Sequence, residues 1–331
     1  MRGLFDLCSG FVYSQVLLAC TRLELFERLA ESPRTSAQLA ADLGLPLASL
    51  DRLLEAAHSL NLLEYRGGLG YGLGPLGSAL RGNPSVALMI EHHAAFYSDL
   101  KDPVGLLRGQ RQSTELNQFW AYSGNPRPTT LTTEQTTAYS QLMAASQTLI
   151  ADQVLSAYPV KRHRRLLDVG GGAGAFAAAA MTNVKTLEAC VYDLPAVSRQ
   201  AQERFVRSGF GGRAHVCEGD FLNDSLPPGY DLVSLVRILH DHNDDAVLKL
   251  LISIRQSMAS DGVLMIAEPM LGTPGAEPVS AAYFGFYLLA MGQGRPRSKR
   301  CITALLQQAG FTSVKEFATY TPMLVRVLIA T

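Results

Sequence analysis

Leu166-Leu167-Asp168-Val169-Gly170-Gly171-Gly172-Ala173-Gly174 is an apolar run carrying one acid that turns through four glycines in five positions. A small-residue segment, 175–181, follows and reads as a helix. A turn so rich in glycine lets backbone approach a ligand closely and aims helix N-terminal amides at it. Nineteen residues beyond Gly174, a second apolar run (187–192) ends on Asp193. An acid at the tip of a second strand is placed to accept hydrogen bonds from both ribose hydroxyls of a nucleoside cofactor.

Gly170-x-Gly172-x-x-Ala175 also fits the dinucleotide pattern, so a nicotinamide cofactor is the competing reading. Three features weigh against it. The glycine turn lies in mid-chain, whereas dinucleotide enzymes often open with it. A third strand (214–218) ends at Gly219-Asp220-Phe221, an acid for an adenine amino group and an aromatic for its face. A fourth apolar run (230–239) ends on His240-Asp241-His242. Acids at three successive strand ends, followed by a chemically active fourth, point to S-adenosylmethionine.

Working outward, the last two strands (314–318 and 323–329) are separated by too few residues for a parallel crossover, so they pair antiparallel. The expected fold is therefore α/β, a Rossmann-like S-adenosylmethionine-dependent methyltransferase domain closed by an antiparallel C-terminal hairpin. At 331 residues the chain has room for a second core. Three segments are expected: 1–85, a helical winged-helix dimerisation domain; 86–158, a helical connector contributing to a substrate pocket; and 159–331, the catalytic domain.

The winged-helix expectation rests on a capped helix from Thr35-Ser36 to Gly44, a second helix from Pro46 through Leu60, and a hairpin around Gly67-Gly68. Between Thr35 and Ser85 there are three basic residues (Arg52, Arg66, Arg81) against four acidic ones (Asp42, Asp51, Glu55, Glu64). A duplex reader needs several phosphate contacts from Lys and Arg, so the module reads as scaffold and homodimer interface, with no nucleic-acid partner. Residues 4–31 agree, with Phe5, Phe11, Val12, Val16, Leu17 and Leu18 on apolar faces broad enough for a second subunit.

The net formal charge is zero. Five cysteines without C-x-x-C spacing fit a reducing cytoplasm, and no metal site is expected. Cys190 and Cys217 are expected in buried strands. No signal peptide is expected, and the apolar run 11–20 is too short to span a bilayer.

His240 stands where the fourth strand opens onto the ligand crevice, placed to act as general base. Glu268, at the end of the next strand, can accept from the second imidazole nitrogen and fix its tautomer. Asp241 either assists His240 or caps the helix starting near Asn243, whose N-terminus Asp244 and Asp245 favour. His242 is expected at solvent or behind the site. Residues 86–158 are helical and aromatic, with a break at 124–128. Phe96, Phe119, Trp120 and Met143 are expected on one pocket wall, facing Tyr283, Phe284, Tyr287 and Met291.

At these motifs the chain resembles the plant-type and bacterial small-molecule O-methyltransferases. Asp168-Val169-Gly170-Gly171-Gly172, Asp193-Leu194-Pro195, Gly219-Asp220-Phe221 and Leu239-His240-Asp241 carry the likeness. The resemblance implies cofactor contacts at Gly170, Gly171, Gly172, Asp193, Leu194, Asp220, Phe221 and Met143, and a base at His240 supported by Glu268. Ser98-Asp99-Leu100-Lys101-Asp102-Pro103 and Ala282-Tyr283-Phe284-Gly285-Phe286-Tyr287 resemble the carotenoid (demethylspheroidene or hydroxyneurosporene) O-methyltransferases. That likeness implies a tertiary 1-hydroxyl of an acyclic carotenoid as acceptor. It also implies a cytoplasmic dimer making transient contact with a membrane surface. A phenolic or polyketide acceptor, or a non-methylating cofactor-binding relative, is the alternative. Two departures stand out: Pro296 occupies the place of a second supporting glutamate, and Val236 that of a cofactor-touching lysine.

Overall fold

The computed structural model describes residues 1–110, 113–123, 125 and 127–331. Gly124 and Pro126, inside the expected helix break, lie outside the described residues. The chain divides into Met1–Ala94 and Ala95–Thr331.

In the first unit, α1 (Arg2–Arg22) and the short α2 (Leu25–Arg28) precede α3 (Ser36–Leu43) and α4 (Leu47–Ser59). The Thr35 hydroxyl accepts from Gln38 N while the Gln38 side chain accepts from Thr35 N, and Gly44 closes α3 at φ 63°. This reciprocal cap satisfies two orphan amides, and only glycine takes that closing backbone readily. Strands β1 (Leu63–Tyr65) and β2 (Tyr71–Leu73) pair antiparallel as the wing, and α5 (Pro75–Arg81) follows. Leu25, Phe26, Leu39, Leu50, Leu54 and Leu63 are fully buried together.

Helix α1 leaves Leu4, Phe5, Leu7, Phe11 and Val12 exposed, a contiguous apolar surface that a soluble monomer rarely carries. It runs 21 residues, twice the apolar run read from the sequence, and is long and apolar enough to cross a membrane by length and composition alone.

The chain continues through α6 (Pro84–Asp99), in which the division between the units falls. The second unit adds α7 (Pro103–Leu107), α8 (Glu115–Phe119) and α9 (Thr133–Ala157). Then come β3 (Arg165–Val169), α10 (Ala175–Asn183), β4 (Glu188–Asp193), α11 (Pro195–Arg207), β5 (Ala214–Glu218) and β6 (Leu232–Val236). The chain ends with α12 (Asp244–Ser257), β7 (Val263–Glu268), β8 (Met270–Leu271), α13 (Phe284–Met291), β9 (Arg297–Ser298), α14 (Lys299–Gln308), β10 (Val314–Phe317) and β11 (Arg326–Ala330).

Seven strands form one sheet in the order β10-β11-β7-β6-β3-β4-β5. The five from β7 to β5 are parallel, and β11 runs antiparallel to both β7 and β10. The expected hairpin is therefore present, shifted by a residue or more at its ends. A parallel strand buried on both faces reads as a continuous apolar run. Leu166 and Leu167, Leu232 and Val233, and Leu264 to Ile266 are all inaccessible to solvent. One face packs against α12 and α14 through Val247, Leu251, Ile302 and Leu306. The other packs against α9, α10 and α11 through Val154, Phe176, Ala180 and Phe205. Connections run outward from β3 to β5 and resume at β6 on its other side, so the strand order reverses between β3 and β6. Ligands of open α/β sheets bind outside the carboxyl ends of the strands at such a reversal.

Gly77 gives a direct check on packing in the first unit, because a Cβ there would sit 2.3 Å from Leu62 O and 2.9 Å from Phe26 Cδ1. Overpacking of this kind costs about 1–3 kcal/mol. Gly77→Ala is expected to lower the melting temperature by several degrees in a thermal melt.

Candidate active site

The glycine turn after β3 holds Gly170, Gly172 and Gly174 at φ 69°, 58° and 70°. A Cβ on Gly170 would lie 2.4 Å from Ile238 Cδ1 and 3.5 Å from Phe221 Cε1, whereas one on Gly172 would meet nothing within 4 Å. The turn is thus closed beneath by side chains and open above Gly172, which is a cradle for a ligand. Asp193 faces it: its Oδ2 accepts from Gly172 N and its Oδ1 from Leu194 N, each at 2.7 Å. Asp168 accepts from Ser234 Oγ at 2.6 Å through Oδ1, while its buried Oδ2 has no partner.

Burial pushes the Asp168 carboxyl up to about 7, against the Ser234 hydrogen bond, and Asp193 adds to the rise. Burial likewise raises Asp193 to about 6, against its two amide donors. The orphaned acceptor on Asp168, an acid reluctant to ionise, fits a ligand with cationic groups close by, and S-adenosylmethionine carries both a sulfonium and an ammonium.

Asp220 is turned to its own loop, accepting from Leu222 N at 2.9 Å and Asn223 Nδ2 at 2.7 Å. Phe221 lies beside Gly170 and meets the His242 ring edge-on at a 5.5 Å centroid distance. His242 is thus packed into this end of the crevice, where burial, against the pull of Asp241, lowers its pKa.

The apolar run of β6 stops earlier than the sequence suggests. It ends at Val236, because Arg237 takes a left-handed φ of 60° and the chain enters a single 3₁₀ turn over Leu239–Asp241. Its guanidinium donates to Ser146 Oγ at 3.0 Å. The reversal turns the amides of Ile238 and Leu239 onto Glu268 Oε1, at 2.8 and 2.7 Å. Glu268 Oε2 accepts from His240 Nδ1. The carboxylate is fully enclosed and serves three donors at once.

Asp241 does not cap the following helix; Asn243 does, accepting from Ala246 N at 2.9 Å. Instead Asp241 Oδ1 lies 3.2 Å from His240 Nε2, and its Oδ2 accepts from Tyr122 Oη at 2.9 Å. Burial opposes charge on His240, but the Glu268 and Asp241 carboxylates outweigh it and raise the ring's pKa, with Arg237 acting in the opposite sense.

Sequence reasoning missed Arg297. Its buried guanidinium donates to Leu239 O and His242 O, both at 2.6 Å, and pairs with Asp244 at 2.7 Å, bracketing the His240 turn. Asp244 pairs with Arg295 as well. Arg295 N donates to His240 O at 2.9 Å, and Gly294 leaves that carbonyl room, since a Cβ there would sit 2.1 Å from it. No spacing in the sequence announces these contacts, 51 to 58 residues apart.

The expected pocket residues converge. Phe96, Trp120, Tyr287 and Met291 are buried in one cluster, with Phe119, Met143, Leu194 and Tyr283 packed against it. Phe96 meets Tyr287 at 5.4 Å and Tyr283 at 6.1 Å between ring centroids, and Trp120 Nε1 donates to Tyr287 Oη at 2.8 Å. Phe284 stands between this cluster and the histidine, its ring 5.0 Å from that of Tyr283 and 6.2 Å from that of His240. Tyr283 belongs to a π-helical turn, Val279–Tyr283, that leads into α13, so the aromatic stripe spans two helical pitches.

The O-methyltransferase domain pattern matches residues 97–312, and the O-methyltransferase dimerisation domain pattern residues 5–82. The chain belongs to the S-adenosylmethionine-dependent O-methyltransferase family. It is 38% identical to a demethylspheroidene O-methyltransferase of Cereibacter sphaeroides, over 99% of this chain and 86% of that one. A demethylspheroidene O-methyltransferase of Rhodobacter capsulatus is also 38% identical, over 99% of this chain and 81% of the other. Human N-acetylserotonin methyltransferase, solved with S-adenosylmethionine, is 26% identical with a TM-score of 0.79, covering 99% of this chain and 96% of that one.

The raised carboxyls make ligand stabilisation depend on pH. Between their ordinary value of 3.8 and about 6 to 7, Asp168 and Asp193 are ionised when unfolded and protonated when folded. The folded state then holds more protons, so the free protein loses stability as pH rises through that window. A cation bound beside the two acids lowers their pKa and cancels the loss. S-adenosylmethionine should therefore raise the melting temperature several degrees more at about pH 8 than at about pH 5. An equal rise at both would show that it sits away from these acids.

Proposed function

We propose that His240 is the general base, that Glu268 orients it, and that Asp241 with Tyr122 controls access to its Nε2. The observation that carries this reading is the His240 ring held at Nδ1 by Glu268, with Nε2 turned to Asp241 at the crevice. Acceptors at both nitrogens describe a doubly protonated ring, in keeping with its raised pKa. Once Nε2 loses its proton, its contact with Asp241 Oδ1 becomes one between two lone pairs. Asp241 then keeps its bond from Tyr122 and yields Nε2 to an acceptor hydroxyl. Bound over the glycine turn, S-adenosylmethionine supplies an electrophilic methyl group. His240 takes the hydroxyl proton at Nε2, and Glu268 stabilises the imidazolium.

Moving a proton from a phenol to an ordinary imidazole costs about 5 kcal/mol, and from an alcohol approximated by water about 12. Raising the imidazole pKa narrows both gaps. For an alcohol the remaining gap still requires proton transfer in concert with attack, so alignment of the oxygen contributes most of the rate.

The pH profile tests the base. Because activity needs the neutral ring, kcat/KM should rise with pH along a limb lying above the ordinary imidazole value of about 6.5. Asp241→Asn removes one carboxylate and should move that limb to lower pH. His240→Ala should lose at least about a hundredfold in kcat with binding of S-adenosylhomocysteine little changed. A limb unmoved in the Asn variant would refute the role of Asp241.

We infer further that the acceptor is a tertiary 1-hydroxyl of an acyclic carotenoid. Support comes from 38% identity to two demethylspheroidene O-methyltransferases over nearly the whole chain, and from the apolar, aromatic cluster beside His240. Residues 86–158 would then supply one side of the pocket through Phe96, Trp120 and Met143. The dimerisation domain supports a homodimer, and transient contact of that dimer with a membrane surface would deliver the substrate. Methyl-labelled S-adenosylmethionine, offered with liposomes holding a 1-hydroxy carotenoid and separately with a panel of phenols, should label the carotenoid. The same liposomes should carry a fraction of the protein when floated. Labelled phenols with an untouched carotenoid would overturn the acceptor, and protein left at the bottom of the gradient the membrane contact.

A further inference from the structure

On the far side of the sheet from β10, β4 and β5 bring three soft donors together. Cys190 lies opposite His215 and Tyr192 opposite Cys217 in the parallel register. Alternation along each strand therefore turns Cys190, His215 and Cys217 to one face. Cys190 Sγ is 3.1 Å from Cys217 Sγ, and the ligand atoms of all three residues lie within 4.8 Å of one another. The burial is graded: Cys190 is inaccessible, Cys217 half-buried and His215 exposed. The expectation that both thiols would be enclosed therefore fails for Cys217, because β5 is the edge strand. His215 Nε2 is 3.2 Å from Tyr230 Oη, which steadies the imidazole at the mouth.

We propose that Cys190, His215 and Cys217 form a metal-binding site, separate from the methyl-transfer crevice, for a thiolate-seeking ion of the zinc(II) class. The donor set argues for that class. Two thiols and an imidazole suit zinc, cadmium or copper(I), while the absence of a carboxylate from the group excludes a magnesium or calcium preference. The spacing argues for a shared ion. Ligands at about 2.0–2.3 Å on a tetrahedral zinc stand about 3.3–3.8 Å apart, and the 3.1 Å between the thiols and the 4.8 Å bound on all three atoms bracket that range.

A direct disulfide fits less well. Cys217 is offset two residues from the position opposite Cys190, which puts their Cα atoms about 8 Å apart, beyond the usual limit of about 6.8 Å. Thiols bind a metal ion as thiolates. Binding must therefore release protons and strengthen as pH rises. A tetrahedral ion held by three protein ligands would keep a fourth position for water or another ligand.

The place of the site in the fold connects it to the crevice. Cys217 stands three residues before Asp220 on one strand and its loop, and Tyr192 directly precedes Asp193. The Tyr192 hydroxyl is buried without a partner against Gly219, where a Cβ would lie 2.0 Å from it. An ion at Cys217 therefore stiffens the strand ends that carry two of the acids assigned above to the nucleoside.

The test uses the full chain and the metal alone. Cadmium(II) titrated into reduced protein should give a thiolate-to-metal charge-transfer band saturating at one equivalent. Cys217→Ser should abolish it, and His215→Ala should weaken binding at least about tenfold. Cys8→Ser and Cys301→Ser, which alter the other cysteines with solvent access, should leave it intact. Both test positions have solvent access, and thermal melts matching the wild type would show that these variants fold. A band that survives Cys217→Ser, or one that vanishes with Cys8 or Cys301, would overturn the site. Methyl transfer is not the readout, so this result and that of the acceptor experiment are independent.

Discussion

One buried carboxylate ties the catalytic unit together. Glu268, at the end of β7, receives the amides of Ile238 and Leu239 and the Nδ1 proton of His240. Removing one partner of a buried, hydrogen-bonded charge costs about 3–5 kcal/mol, so these four residues hold their places as a unit. The left-handed Arg237 makes this possible: in a continued strand two successive amides would point sideways to opposite neighbours, and its reversal lets both reach one carboxylate. Strain of this kind persists only where the surroundings over-determine it. Here Ser146, Ala267 O and Glu268 do so.

Two electrostatic regimes meet in the crevice. Around the glycine turn, Asp168 and Asp193 hold their carboxyls with few donors and titrate high. Around His240, two carboxylates flank one imidazole and make it more basic. The first arrangement suits a cation to be bound, the second a proton to be taken. Arg297 fixes the His240 turn, its charge met by two carbonyls and by Asp244. The aromatic cluster supplies an apolar wall beside this polar machinery, and Tyr122 joins them through Asp241.

Much of this was legible residue by residue. The glycine turn, the acids at strand ends, the Thr35 cap and the antiparallel hairpin each depend on local chemistry: allowed φ, side-chain reach over three residues, loop length. His240 and Glu268 could be paired because parallel strands deliver their ends to the same crevice. The run read from the sequence, 230–239, exceeds β6 by two residues at its start and three at its end, because a largely apolar stretch does not mark where the backbone will reverse. The sequence leaves the role of Asp241 open for the same kind of reason: its partners on either side are an adjacent ring and a tyrosine 119 residues away.

From its residues alone the chain determined its sheet, the place of its crevice and the meeting of His240 with Glu268 at neighbouring strand ends, since each follows from periodicity and from conformations open to few residue types. Tertiary structure alone decided what closes around them: Tyr122 on Asp241, Ser146 on Arg237, Arg297 on the carbonyls of the His240 turn, and the thiols of Cys190 and Cys217 converging at the sheet edge. Those contacts span 27 to 119 residues. They exist only because packing the two faces of the sheet removes every other place for the chain to go.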